Sequence, residues 1–229
     1  MTNGSPDDTY RIRYLADRAA RSVLNLIYTE KELGRGRTDR WKDPVGKPGY
    51  YPYIPFSVEG FVAAIDRAMW MSGEYGRHRD FQYPHPVRGN VSFIDVGCGV
   101  GDKLALAKLV MGFNDVTGIE CVHQTAAVAK KRLGKHQIAV LEMDAFEYDF
   151  SPHNLIYMYH PIADNCLYAQ LYAHIAKTIK PGAMILEVMP VGVSFFRDLG
   201  DIFEPGPNPI NYPRNECCIK QETGYLRLL

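Results

Sequence analysis

The feature that most constrains this chain is the run Ser92-Phe93-Ile94-Asp95-Val96-Gly97-Cys98-Gly99-Val100-Gly101-Asp102-Lys103, where an apolar strand runs straight into three alternating glycines. Val91, Phe93, Ile94 and Val96 have the composition of a parallel strand buried on both faces. From Lys103 to Met111 the pattern turns helical, and Gly112 is placed to end that helix. Glycines between a strand and a helix let a ligand approach the backbone where a Cβ would collide, and they point helix N–H groups at it. The run reads as a cradle for a small molecule.

Spacing narrows which molecule. The dinucleotide fingerprint is G-x-G-x-x-G, whereas here an acid leads an evenly spaced triplet, Asp95-x-Gly97-x-Gly99-x-Gly101. The next strand, Asp115 to Glu120, ends in a carboxylate that can accept hydrogen bonds from both hydroxyls of a ribose, and its charge disfavours a 2′-phosphate. A nicotinamide or flavin site competes with this reading, as does a buried strand with Glu120 merely exposed at a strand end.

The acidic residue, single spacer and G-x-G-x-G resemble the first motif of the class I S-adenosylmethionine-dependent methyltransferases. That resemblance implies an α/β fold: a doubly wound, mostly parallel, seven-stranded Rossmann-like sheet with an N-terminal helical addition. It implies S-adenosylmethionine as cofactor, S-adenosylhomocysteine as product, and methyl transfer to an unidentified acceptor, a small molecule or a protein side chain. Cofactor contacts are then expected at Asp95, Gly97, Cys98, Gly99 and Gly101, and at Glu120 with Cys121 beside it. After a third strand, Ile138 to Met143, Asp144 matches the family's acceptor for the adenine amino group and the Ala145 N–H its donor to a ring nitrogen, with Phe146 flanking the ring. By the same resemblance Tyr53 and Ser57, in the aromatic and proline-rich segment 50–57, contact the methionine or adenosine part. Packing of those aromatics onto the domain is the alternative.

A fourth strand, Asn154 to Tyr159, stops at His160-Pro161-Ile162-Ala163-Asp164-Asn165. Ligands of open α/β sheets sit at the carboxyl ends of strands, so the acceptor meets the cofactor here. Transfer from a sulfonium needs chiefly alignment, and a base only if the acceptor's proton leaves early. His160 is the candidate base; Tyr159 and Asp164 are catalytic candidates that orient the acceptor, and Tyr159 also borders the cofactor. DNA amino-methyltransferases carry two prolines and an aromatic at this tip, and Tyr159-His160-Pro161-Ile162 departs from that pattern, which argues against a pocket for a flipped base.

The remaining chain supplies the frame. Residues 1–8 are expected to be a disordered tail, 9–90 an N-terminal helical and lid region, and 91–229 the cofactor-binding core. A helix over 9–28 is expected to bury Ile12, Leu15, Ala19, Val23, Leu26 and Ile27, with Arg18 and Arg21 off that side. A further helix over 60–71 follows Ser57 as N-cap. Helices over 125–133, ended by Gly134, and 166–179 flank the later strands, a fifth strand spans 183–189, and residues 217–221 and 224–229 form a closing antiparallel hairpin. Lys plus Arg equals Asp plus Glu, 26 each, which argues against a strongly basic nucleic-acid protein. Residues 9–49 alone are basic, with ten Lys or Arg against five acids, and would serve a nucleic-acid methyltransferase, the alternative activity; a non-catalytic cofactor-binding partner protein is the other. No secretory leader or bilayer-spanning stretch is read, so a cytoplasmic location is expected. The five cysteines are read as reduced, with no metal site. Oligomeric state is not written in the sequence.

Overall fold

The computed structural model of the chain describes residues 18–28, 58, 60–62, 64–65, 91–159, 161–181 and 183–188, and the backbone of 215–221 and 224–228. The described strands are β1 (Ser92–Val96), β2 (Asp115–Glu120), β3 (Ala139–Glu142), β4 (Leu155–Met158), β5 (Met184–Val188), β6 (Asn215–Gln221) and β7 (Gly224–Leu228). They form one sheet in the order β3-β2-β1-β4-β5-β6-β7. The first five are mutually parallel, and β6 runs antiparallel to both β5 and β7. This is the doubly wound order. The chain moves outward from β1 in one direction to β3, then returns to the other side of β1 for β4, which opens a crevice at the carboxyl ends of β1 and β4.

The crossovers are α1 (Asp102–Leu109), α2 (His123–Leu133) and α3 (Asn165–Thr178). Alternation along the buried strands sorts the core into two faces. Phe93, Leu155, Tyr157 and Leu186 lie with α1 and α2 on one face, while Ile94, Val96, Ile156, Met158 and Ile185 meet Tyr168, Leu171, Tyr172 and Ile175 of α3 on the other. Helical stretches at 18–27 and around 58–65 dock on the first face. Phe61 sets its ring edge-on to Tyr157, centroids 5.1 Å apart at 89°, and Phe93 lies 6.3 Å away. Burying one such ring stabilises the docking by about 1.5–3 kcal/mol.

Two local expectations are corrected. The 18–27 helix buries Ala20, Leu24 and Ile27, followed by Tyr28, whereas Ala19 is exposed and Leu26 is 85% exposed. Ala20, Leu24, Ile27 and Tyr28 also recur at three and four residues, and the docked face is the one that carries the aromatic. Gly134 caps α2 after Leu133 as expected, but in a right-handed conformation, φ −54°, that leads into a single 3-10 turn over Gly134–His136; the left-handed residue that closes the segment is Gln137, φ 57°. The α2 helix itself begins two residues earlier than expected, at His123. Gly112 fulfils its expected part. With φ 77° it lets the Phe113 N–H reach back to Ala107 O at 3.0 Å and turns Phe113 into the core against Phe93.

Candidate functional site

The glycine turn lies at the crevice between β1 and β4. Gly97, Gly99 and Gly101 have φ values of 76°, 56° and 81°, a region costly for any residue with a Cβ. Space forbids a side chain as firmly as conformation does. A Cβ on Gly97 would lie 2.7 Å from Pro161 Cβ, and one on Gly101 2.5 Å from Leu133 Cδ1. The first contact brings the loop after β4 onto the turn; the second seats α2 beneath it.

Internal hydrogen bonds fix the turn's shape. The N–H groups of Gly97 and Cys98 both donate to Ile119 O at 2.9 Å, and that of Gly101 donates to Cys98 O at 2.9 Å. Gly99 N–H donates to Glu120 Oε2 at 2.8 Å, while the other carboxylate oxygen, Oε1, accepts from Val122 N–H at 2.8 Å. Glu120, 8% exposed at the end of β2, is thereby locked to the glycine turn and to the start of α2. Cys121 follows it, partly buried. Cys98 is buried, its Sγ set against the position a Cβ of Gly118 would take, and burial pushes its thiol well above the ordinary range; it is a packing residue, not a nucleophile.

Charge is concentrated here. Asp95, Asp102, Lys103 and Glu120 are all buried. Asp102 and Lys103 pair at 2.8 Å. Burial raises the Asp95 carboxyl to about 8, against the pull of Lys103 and with a further push from Asp102 and Glu120. The hydroxyl of Tyr157 is also pushed up by burial, with Asp95 and Asp102 adding to it. Among the described residues, Asp102 Oδ1 and Tyr157 Oη are buried polar atoms without a hydrogen-bond partner. Asp102, Lys103 and Tyr157 were not picked out as site residues from the sequence. The available signal was a charged pair opening a helix whose next four residues, Leu104 to Ala107, are all apolar.

The other expected residues divide. Asp144 caps the single turn over Ala145–Glu147, its Oδ1 accepting from Phe146 N–H at 3.2 Å, and Asp144, Ala145 and Phe146 are all partly buried beyond the end of β3. Tyr159, just past β4, is partly buried, and burial raises its hydroxyl. Asp164 is exposed, and its Oδ1 caps α3 through Leu167 N–H at 2.9 Å, a structural duty not assigned to it from the sequence. His160, Tyr53 and Ser57 lie outside the described residues. A second polar chain, not foreseen, lies at the opposite end of the strands. Tyr148 Oη is 2.7 Å from His153 Nε2, His153 Nδ1 is 3.0 Å from Ser92 Oγ, and Ser92 Oγ donates to Asp115.

No protein-family model matches the chain, and no curated protein matches it. Solved structures to which it is similar include an RNA methyltransferase from Salinibacter ruber in complex with S-adenosyl-L-homocysteine, at 13% identity and TM-score 0.47 over 72% of this chain and 90% of that one. Another is the plantazolicin methyltransferase BpumL with a monoazolic desmethylPZN analogue and S-adenosylhomocysteine bound, at 17% identity and TM-score 0.41 over 57% of this chain and 48% of that one. A third is an S-adenosylmethionine-dependent methyltransferase from Mesorhizobium loti, at 21% identity and TM-score 0.38 over 44% and 46% of the two chains. The chain spans about half the length of the latter two.

Proposed function

We propose that this chain is a class I S-adenosylmethionine-dependent methyltransferase acting on an acceptor that is a small molecule or a protein side chain. The observation that carries the reading is the coupling of Glu120 to the glycine turn. The acid at the tip of β2 is held by Gly99 N–H and Val122 N–H, so the carboxylate that would take a ribose diol and the backbone that would admit the ligand form one unit. The same bond disfavours a pyrophosphate. A helix N-terminus binds phosphate through open N–H groups and a positive end, but here Gly99 N–H is committed to a carboxylate, and Asp102 stands in the first turn of α1.

The residues fit the cofactor. The crevice turn accepts no Cβ, and the orphaned Asp102 oxygen is an acceptor beside it, suited to an ammonium. When bound, S-adenosylmethionine supplies an electrophilic methyl group on a sulfonium. Asp95, Gly97, Cys98, Gly99 and Gly101 line the cradle, Glu120 and Cys121 border the ribose side, and Asp144 and Ala145 take the adenine edge. Pro161 lies against Gly97, which keeps the acceptor loop in contact with the cofactor turn. Tyr159 and Asp164 orient the acceptor, and His160 takes its proton where one must leave. Tyr53 and Ser57 complete the methionine or adenosine contacts from the region 9–90, which acts as a lid. The same reading places the chain in the cytoplasm. No helix of the described residues is long and apolar enough to cross a membrane.

Calorimetric titration with S-adenosylmethionine, S-adenosylhomocysteine, NAD and NADP tests the reading. Micromolar binding of the first two alone is expected; preference for NAD, or no sulfonium binding, refutes it. Binding without turnover across amine, hydroxyl, peptide and RNA acceptors would favour a non-catalytic partner protein.

A further inference from the structure

The phenolic hydroxyl of Tyr28 donates to the carbonyl oxygen of Val100 at 3.0 Å, a buried bond between residues 72 apart in the chain. Tyr28 closes the docked 18–27 helix, its N–H bonded to Leu24 O at 2.8 Å, and it is 4% exposed. Val100 stands between Gly99 and Gly101 in the glycine turn.

The peptide that joins Val100 to Gly101 has no direction imposed by its own backbone, because glycine adopts φ of either sign with similar ease. Two partners impose one instead. Its carbonyl takes the Tyr28 hydroxyl, and its N–H gives to Cys98 O at 2.9 Å. Gly101 is also the N-cap of α1, and its carbonyl accepts from Ala105 N–H at 3.1 Å. The direction of this one peptide therefore sets how the first turn of α1, with Asp102 and Lys103, meets the crevice.

We propose that Tyr28 is a positioning residue for the cofactor turn: by holding the Val100 carbonyl, the N-terminal helix keeps the turn in its ligand-accepting shape. Cofactor affinity then depends on a helix that belongs to none of the crossovers of the sheet. This rests on the cofactor reading above and adds to it a residue whose distance in sequence from the glycines hides its part.

The test compares Tyr28→Phe with Ile27→Val in the full chain. The first removes only the hydroxyl; the second trims one buried methyl from the same docked helix and leaves the bond to Val100. Hydrogen exchange over residues 97–103 is measured without ligand, and S-adenosylhomocysteine affinity by calorimetry. Tyr28→Phe is expected to speed exchange of the turn and to weaken binding about tenfold, or about 1.4 kcal/mol, while Ile27→Val leaves affinity within about twofold of wild type. Equal affinity of Tyr28→Phe and wild type overturns the proposal. So does an equal loss in both variants, which would assign the effect to helix docking and not to the hydroxyl. Absence of S-adenosylhomocysteine binding by the wild-type chain overturns the cofactor reading itself, and the proposal falls with it.

Discussion

Replacing Glu120 with alanine should damage the protein twice, once in its stability and once in its binding. The carboxylate satisfies two backbone donors, the buried Gly99 N–H and the partly buried Val122 N–H, each at 2.8 Å. Leaving a buried donor without a partner costs about 1–3 kcal/mol, whereas water can reach the Val122 group and reduce its loss to about 0.5–1.5 kcal/mol. The alanine variant should therefore lose about 1.5–4.5 kcal/mol, a large share of the 5–15 kcal/mol typical of a folded domain. Glu120→Gln keeps one acceptor oxygen and should lose about half as much. Urea unfolding followed by circular dichroism reads the change as a lower midpoint at constant slope. In the folded variants, S-adenosylhomocysteine affinity should fall at least about tenfold, on the scale of one charged hydrogen bond. A midpoint for Glu120→Ala within about 0.5 kcal/mol of wild type would refute the locking of the turn; unchanged affinity would remove the ribose assignment.

Gly101→Ala places a Cβ 2.5 Å from Leu133 Cδ1 at φ 81°, so it should destabilise by about 1–3 kcal/mol or more, read as a lower melting temperature; an unchanged melting point would deny the close seating of α2. Burial raises the Asp95 carboxyl to about 8, so the folded state holds a proton that the unfolded chain releases near 3.8. Its contribution is then full below about pH 3.8 and lost as pH rises through 8; Asp95→Asn should flatten the fall in urea stability between pH 5 and 8, and an unaltered slope would count against a protonated Asp95. Burial lowers His153 below its usual 6.5, so the stability it contributes is present above 6.5 and lost as the pH falls through its folded value. His153→Gln should remove that acid-side loss in unfolding measured from pH 7 down to 5, and a variant with the wild-type profile would exclude His153 as its source.

The glycine turn of the candidate site was legible because its parts are local. A strand, three glycines and a helix are contiguous, Glu120 closes a strand whose apolar run announces it, and Asp144 follows another by two residues. What stayed hidden depends on tertiary placement. Ala19 and Leu26 fit a helical spacing as well as Ala20 and Leu24 do, and only the docked sheet face decides between them, while Val23 and Ile27 do meet the core as expected. Gly134 stops α2 as expected, yet in a right-handed conformation, and it is Gln137, one 3-10 turn later, that takes the left-handed one. The approach of Pro161 to Gly97 joins the ends of two strands that are neighbours in the sheet and distant in sequence. Asp164 illustrates the converse. Beside the acceptor-orienting role proposed for it, its position just before a helix makes it an N-cap, a duty readable from the sequence alone.

The placement of β1 has a consequence for how the chain is made. Its two edges are filled by β2 and β4, and on the β4 side Ser92 N–H reaches the side chain of Asn154, 62 residues later. A chain emerging from the ribosome N-terminus first thus carries β1 with one edge open until β4 has been synthesised, and neither the crevice nor the contact of Pro161 with the glycine turn exists before then. Early pairing can complete only the β1, β2 and β3 half with α1 and α2. A ligand of the glycine turn, if supplied during synthesis, would meet a cradle that stays open on the β4 side until the loop beyond β4 has arrived.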